Sequence, residues 1–173
     1  MDLVEQIRSL YQTLRQDMRT RFQRHVPFGD LFTDRWETAK SWGFGEGTSV
    51  YDNVLILGDV RVGANTWIGP NCILDGSGGP LIIGDWCSIS AGVQIYTHDT
   101  VRRSTSLGTE PVDTAPTTIG SGVYIGPNTV VARGVTIGDK AVIGAMSLVN
   151  RDVAAGMRAW GSPARTIIPP AVP

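Results

Sequence analysis

An excess of charge of either sign is missing from this chain. Its 173 residues carry 15 Lys and Arg against 16 Asp and Glu, a net charge of −1. That balance makes no electrostatic case for nucleic acid or an anionic membrane as partner. Long apolar runs are missing too, since uninterrupted stretches reach only a few residues where a spanning helix needs roughly 20. The opening MDLVEQIRSLYQ brings acids early and no apolar core, so a signal peptide is not expected. Cysteine is reduced to Cys72 and Cys87. Both stand four residues after an aliphatic (Ile68, Ile83), which predicts small buried thiols rather than a disulfide or metal pair. These features together predict a soluble protein of a reducing, cytoplasmic compartment. Histidine is as scarce, with only His25 and His98, too few for a three-histidine zinc site. No metal is expected.

What the chain does have is a beat of six. From Ile119 an aliphatic falls on every sixth position: Ile119, Ile125, Val131, Ile137, Ile143, Val149. Four places after each comes a small or β-branched residue: Val123, Thr129, Val135, Ala141, Ser147, Val153. Neither a helix of period 3.6 nor a strand of period 2 generates a strict six. A fixed short period marks a solenoid, and a six-residue period predicts a parallel β-helix, an all-β fold. The beat also runs through Val50, Ile56, Val62, Ile68 and Leu74, slips by three residues at Gly78-Gly79-Pro80, and resumes at Ile83, Ile89 and Ile95. With three hexapeptides to a triangular turn, the stack has about five coils.

Two segments leave the beat. Residues 100–118, TVRRSTSLGTEPVDTAPTT, are rich in Ser, Thr and Pro and predict a loop rather than an element. Ile95 and Ile119 still lie a multiple of six apart, so the loop reads as an excursion thrown from a corner of the prism. A loop this long in a compact domain is usually functional or disordered. At the N-terminus, Leu3, Ile7, Leu10, Leu14, Met18 and Phe22 recur at helical spacing among Arg8, Arg15, Arg19, Arg21 and Arg24. This predicts an amphipathic α-helix over residues 2–24, stopped near Pro27. It is expected to pack on the solenoid or a neighbouring chain, with a membrane surface as the lesser alternative. Trp36, Trp42 and Phe44 then lead into the first coil and are expected to cap its open edge. The organisation is therefore 1–47 helix and cap, 48–168 β-helix with the excursion, and 169–173 tail.

The segments IGDWCSISAGVQIYTHDT (83–100), IGSGVYIGPNTVVARGVTIGDKAVIGAMSLV (119–149) and WGSPARTI (160–167) closely resemble the hexapeptide-repeat acyltransferases, nearest their sugar O-acetyltransferase branch. The repeat alone indicates only the fold. A His before an excursion loop and a closing G-x-P-A-R make the resemblance more specific. It implies a left-handed coil, a departure from the usual crossover rule. It also implies a homotrimer, with acetyl-CoA bound between neighbouring prisms, and a sugar or glycan acceptor.

Acetyl transfer needs a base for the acceptor hydroxyl, and histidine suits that task near neutral pH. His25 ends the arginine-rich helix and is expected to be a surface or capping residue. His98 stands where the chain departs for the excursion, and the resemblance makes it the catalytic base in direct transfer. Asp75 and Asp99 are the candidates to orient it or to hold the acceptor; DGSGG at 75–79 is equally good turn chemistry. Asn71 is a weaker candidate. For the cofactor's phosphates, the Arg and Lys of the later coils (Arg133, Lys140, Arg151, Arg165) come into question. By resemblance Arg165 and Arg151 lead, with Asn150 weaker, while Gly126 and Ala145 match places where the pantetheine arm runs close to backbone. Relatives often carry Ser after the Y-I-G stretch. Pro127 stands there instead, with neither hydroxyl nor N–H, so any oxyanion donor must be another backbone N–H. Arg102 and Arg103 of the excursion meet an acidic group of the acceptor or are simply solvated.

Other readings remain open. An amine acceptor on a nucleotide-linked sugar suits the same His and cofactor groove, although no extra nucleotide-binding segment is visible. A non-catalytic β-helix needs neither His98 nor the GSPAR close. No repeated Thr ladder supports an ice-binding face.

Overall fold

The computed structural model describes residues 2–167; the tail expected at 169–173 lies outside them. An N-terminal helix, α1 (Leu3–Phe22), and a shorter one, α2 (Arg35–Ser41), precede the coil. α1 starts on a capping box, in which the Asp2 carboxylate accepts from the Glu5 N–H and the Glu5 side chain reaches back to the Asp2 N–H. It ends earlier than Pro27 suggests. Gln23 turns left-handed and donates its N–H to the Arg19 carbonyl, closing the last turn.

Then the beat of six becomes short strands: β1 (Ser49–Val50), β2 (Leu55–Val62), β3 (Trp67–Ile68), β4 (Ile73–Ile83), β5 (Ser88–Ile89) and β6 (Gln94–Tyr96). After the excursion come β9 (Thr117–Ile119), β10 (Tyr124–Ile125), β11 (Val130–Val131), β12 (Thr136–Ile137), β13 (Val142–Ile143) and β14 (Leu148–Val149). Each strand pairs in parallel with the one a full turn away, which produces three stacks of side chains. Val50, Ile68, Ile89, Ile125, Ile143 and Ala159 form one face. Ile56, Leu74, Ile95, Val131 and Val149 form the second. Val62, Ile83, Ile119, Ile137 and Val153 form the third. The sixth-position aliphatics of these stacks are the core, and those from Ile68 to Ile143 are almost wholly buried. Through the later coils the chain turns its corners by taking a positive φ once per hexapeptide, at Gly122, Asn128, Gly134, Lys140 and Met146. Cys72 and Cys87 are buried free thiols, and burial pushes the Cys72 thiol up to about 11.

The structure refines four expectations. The slip at Gly78-Gly79-Pro80 lies inside a strand. β4 runs straight through it, and the extra residues are absorbed where its register against β2 shifts between Gly58 and Val60. The excursion is not structureless. His98–Asp99 (β7) and Asp113–Thr114 (β8) pair antiparallel, the short helix α3 (Val101–Thr105) lies between them, and Thr117–Thr118 already belong to β9. The capping stretch contributes unequally: Phe44 and Ala39 of α2 are buried in the core, while Trp36 and Trp42 are half exposed. Trp36 and Tyr51 instead flank the Arg35 guanidinium at 5.0 and 4.7 Å. Finally, of the two covers expected for the apolar stripe of α1, the solenoid of its own chain is not the one used: no residue of the helix is buried, and Leu3 is 70% exposed. Its visible attachment is Tyr11 against Phe28, with ring centres 5.4 Å apart.

Candidate functional site

Two structural irregularities, the inserted residues of β4 and the departure of the excursion, meet at His98. Thr97, fully buried, ties them together. Its hydroxyl donates to the Asp75 carbonyl at 2.8 Å and accepts from the Gly78 N–H at 3.0 Å. The excursion closes onto the same residue, as Ala115 donates its N–H to the Thr97 carbonyl. His98 follows on β7 with its side chain 29% exposed, open to solvent on one side and backed by protein on the other.

The backing is polar. Asp75 is nearly buried, and its Oδ2 lies 3.4 Å from His98 Nδ1. Its Oδ1 accepts from the Ser77 N–H at 2.9 Å and from the Ser77 hydroxyl. Ser77 Oγ in turn lies 3.3 Å from His98 Nδ1. Of the two carboxylates considered beside His98, the structure therefore brings Asp75 to the imidazole. Ser77 escapes sequence reasoning, which weighs DGSGG as turn chemistry or as the place of Asp75 alone; its signal is that the beat breaks there.

Asp99 points elsewhere. Its Oδ2 accepts from Arg133 Nε at 2.5 Å and its Oδ1 from the Val101 N–H at 3.1 Å. Arg133 also reaches Asp113, which Arg102 holds at 3.2 Å while pairing with Glu110 at 2.6 Å. Arg102 is thus committed inside the excursion, and Arg103 stays exposed. The Arg133 hydrogen bond, aided by the Val101 N–H, holds the Asp99 carboxyl below its ordinary range. A carboxylate lowered in the folded state adds stability that is complete above its ordinary pKa, about 3.9, and is lost as pH falls through the folded value. The tie therefore stays closed at neutral pH and opens only as pH falls below the ordinary carboxylate range. Arg133→Ala is expected to open it at pH 7, seen as faster hydrogen exchange over residues 100–116. Unchanged protection there would show that the ion pairs do not anchor the excursion.

Gly78 is where this packing tolerates least. A Cβ there would meet the Thr97 carbonyl oxygen at 2.4 Å and His98 Cβ at 2.6 Å. Gly78→Ala must therefore push β7 away, at a cost of about 1–3 kcal/mol for overpacking. Urea unfolding and turnover should fall together in this variant. A variant of wild-type stability and rate would contradict the contact.

The residues assigned to a cofactor fall in two places on the later coils. Asn150, Arg151 and Arg165 line one cleft of about 180 Å³. They meet because Arg158–Gly161 (β15) and Ala164–Ile167 (β16) form an antiparallel hairpin with Arg165 opposite Trp160. Gly126 and Ala145 stack on adjacent coils, so closely that a Cβ at Gly126 would meet the Ala145 nitrogen at 2.5 Å. Pro127 offers its carbonyl to the Met146 N–H. Asn71 joins Asn53 in a corner ladder through two hydrogen bonds, and exposed His25 lies against Arg15.

Three stacked faces of hexapeptides define the fold of the chain, and comparison with known proteins finds the same repeat and fold. Residues 116–151 match the family model "Bacterial transferase hexapeptide (six repeats)" and residues 59–97 match "Hexapeptide repeat of succinyl-transferase". The chain carries two hexapeptide-repeat transferase segments and folds as a left-handed parallel β-helix, the fold of the hexapeptide acetyltransferases to which it is similar. Among individual proteins, it is 41% identical over 112 residues to Nodulation protein L of Rhizobium meliloti (strain 1021). That match takes in 62% of this chain and 58% of the relative's length. A galactoside acetyltransferase solved in complex with coenzyme A superposes with a TM-score of 0.68 at 26% identity, over 97% of this chain and 90% of that one. A hexapeptide-repeat-containing acetyltransferase from Vibrio cholerae O1 biovar eltor, complexed with acetyl coenzyme A, gives 0.67 at 28%, over 95% and 87%.

Proposed function

We propose that the chain moves an acetyl group from acetyl-CoA to a hydroxyl of a sugar or glycan precursor, with His98 as general base. The observation that carries this reading is the imidazole of His98, open on one side and backed by the nearly buried Asp75 carboxylate. The acceptor hydroxyl gives its proton to His98 as its oxygen attacks the thioester carbonyl. A C–O bond forms, the C–S bond breaks, and the proton passes from His98 to the departing CoA sulfur. No acyl-enzyme is needed. Pro127 has no N–H, so the oxyanion is left to another backbone donor.

Asn150, Arg151 and Arg165 hold the phosphates of acetyl-CoA in their shared cleft, where guanidinium groups suit phosphate oxygens. Gly126 and Ala145 leave backbone accessible to the pantetheine arm. Asp75 also serves the acceptor, and the excursion, braced through Asp99, walls its pocket. Residues 48–168 form the catalytic unit and residues 1–47 its cap. The working form is a homotrimer with each site between two prisms. Large apolar side chains left on the prism surface support that assembly, Trp86 at 71% and Met146 at 75% exposure among them.

The test is thiol release from acetyl-CoA over a panel of sugars, nucleotide sugars and amino sugars. Turnover on a hydroxyl acceptor is expected. Turnover on amino sugars alone would replace this reading with N-acetylation, and no turnover without CoA binding would leave a scaffold.

A further inference from the structure

Ser77 stands in a different relation to His98 than a turn residue would. Its hydroxyl has one proton and two lone pairs. The proton is taken, because a carboxylate oxygen can only accept and Asp75 Oδ1 is the bonded partner. Toward His98 Nδ1, 3.3 Å away, Ser77 Oγ therefore has only a lone pair to offer. The second acceptor near that nitrogen is Asp75 Oδ2 at 3.4 Å. Both neighbours of Nδ1 thus ask it to carry the hydrogen, which leaves the lone pair on Nε2.

The other groups around the imidazole do not compete. Asp99 shares β7, but its carboxylate is held by Arg133 and the Val101 N–H. Asp113 lies across on β8, between Arg102 and Arg133. The Tyr96 hydroxyl donates to the Gln94 side chain at 2.8 Å. Ser77 is held in turn, since its own N–H is anchored on Asp75 and the inserted Gly78 beside it is pinned to Thr97.

We infer that Ser77 is a positioning residue: the chain His98 Nδ1–H to Ser77 Oγ to Asp75 Oδ1 holds the imidazole in the tautomer whose Nε2 accepts a proton. The inference rests on the reading of His98 as base, yet part of its test is independent of turnover. Because the chain has only two histidines, ¹⁵N spectra of histidine-labelled protein resolve both rings, and His98→Ala identifies the His98 signals. In the wild type at neutral pH, His98 should be the Nδ1–H tautomer. Ser77→Ala should shift it toward a mixture and lower kcat about tenfold or more, short of the roughly 10⁴-fold of a wholly wrong tautomer because Asp75 remains. KM for acetyl-CoA should stay unchanged, and Ser77→Thr, which keeps the hydroxyl, should restore both spectrum and rate. An unchanged His98 spectrum in Ser77→Ala would overturn the inference while leaving the base assignment intact. An active His98→Ala would overturn the base assignment, whatever the spectra show.

Discussion

Ile137→Ala is expected to destabilise the protein by about 2–5 kcal/mol. Ile137 is wholly buried on the third face, with Ile119 on one side of it and Val153 on the other. In a solenoid each coil is held only by its neighbours, so a missing rung weakens two interfaces. Packed strands of two residues have little room to collapse into the space, so most of the cavity term should survive. The control is Thr136→Ala, one residue away and exposed, where a change within about 0.5 kcal/mol is expected. Urea unfolding at one fixed protomer concentration measures both, since any assembly makes stability depend on concentration. A loss below about 1 kcal/mol for Ile137→Ala would mean that the stack is not what holds the coils together.

The stack was legible in the sequence because its cause is local. One inward aliphatic and, through the later coils, one left-handed corner recur in each hexapeptide, and the side chains that obey this rule are those found buried. The place of His98 at the departure of the excursion was legible for a related reason, since the beat is interrupted there. Features made by stacking rather than by the repeat were not legible. Arg133 reaches Asp99 across 34 positions of sequence because the excursion folds back over a later coil. Ser77 reaches His98 only because β4 absorbs its extra residues as a register shift against β2, where Gly-rich sequence suggests a turn. The helix α1 shows the limit in another way. Its periodicity correctly predicts an apolar stripe, but periodicity carries no information on what covers it, and within this chain little does.

His98→Ala is expected to lower kcat by about 10²–10⁴-fold, the usual contribution of a general base. Alanine removes the only imidazole at the excursion; His25 lies beside Arg15, away from this cluster. The nearby carboxylates do not replace it. Asp75 is nearly buried behind the ring, with one oxygen committed to Ser77, and Asp99 is committed to Arg133. KM for acetyl-CoA should change little, because Asn150, Arg151 and Arg165 occupy a separate cleft. The fold should survive as well, since His98 is not part of the hydrophobic core.

The most direct test of the account is the single-turnover rate of acetyl transfer to a hydroxyl acceptor at saturating acetyl-CoA, for the wild type and His98→Ala side by side. The account predicts transfer to oxygen in the wild type and a rate lower by about 10²–10⁴-fold in the variant, with acetyl-CoA still bound. Equal rates in the two proteins would contradict it.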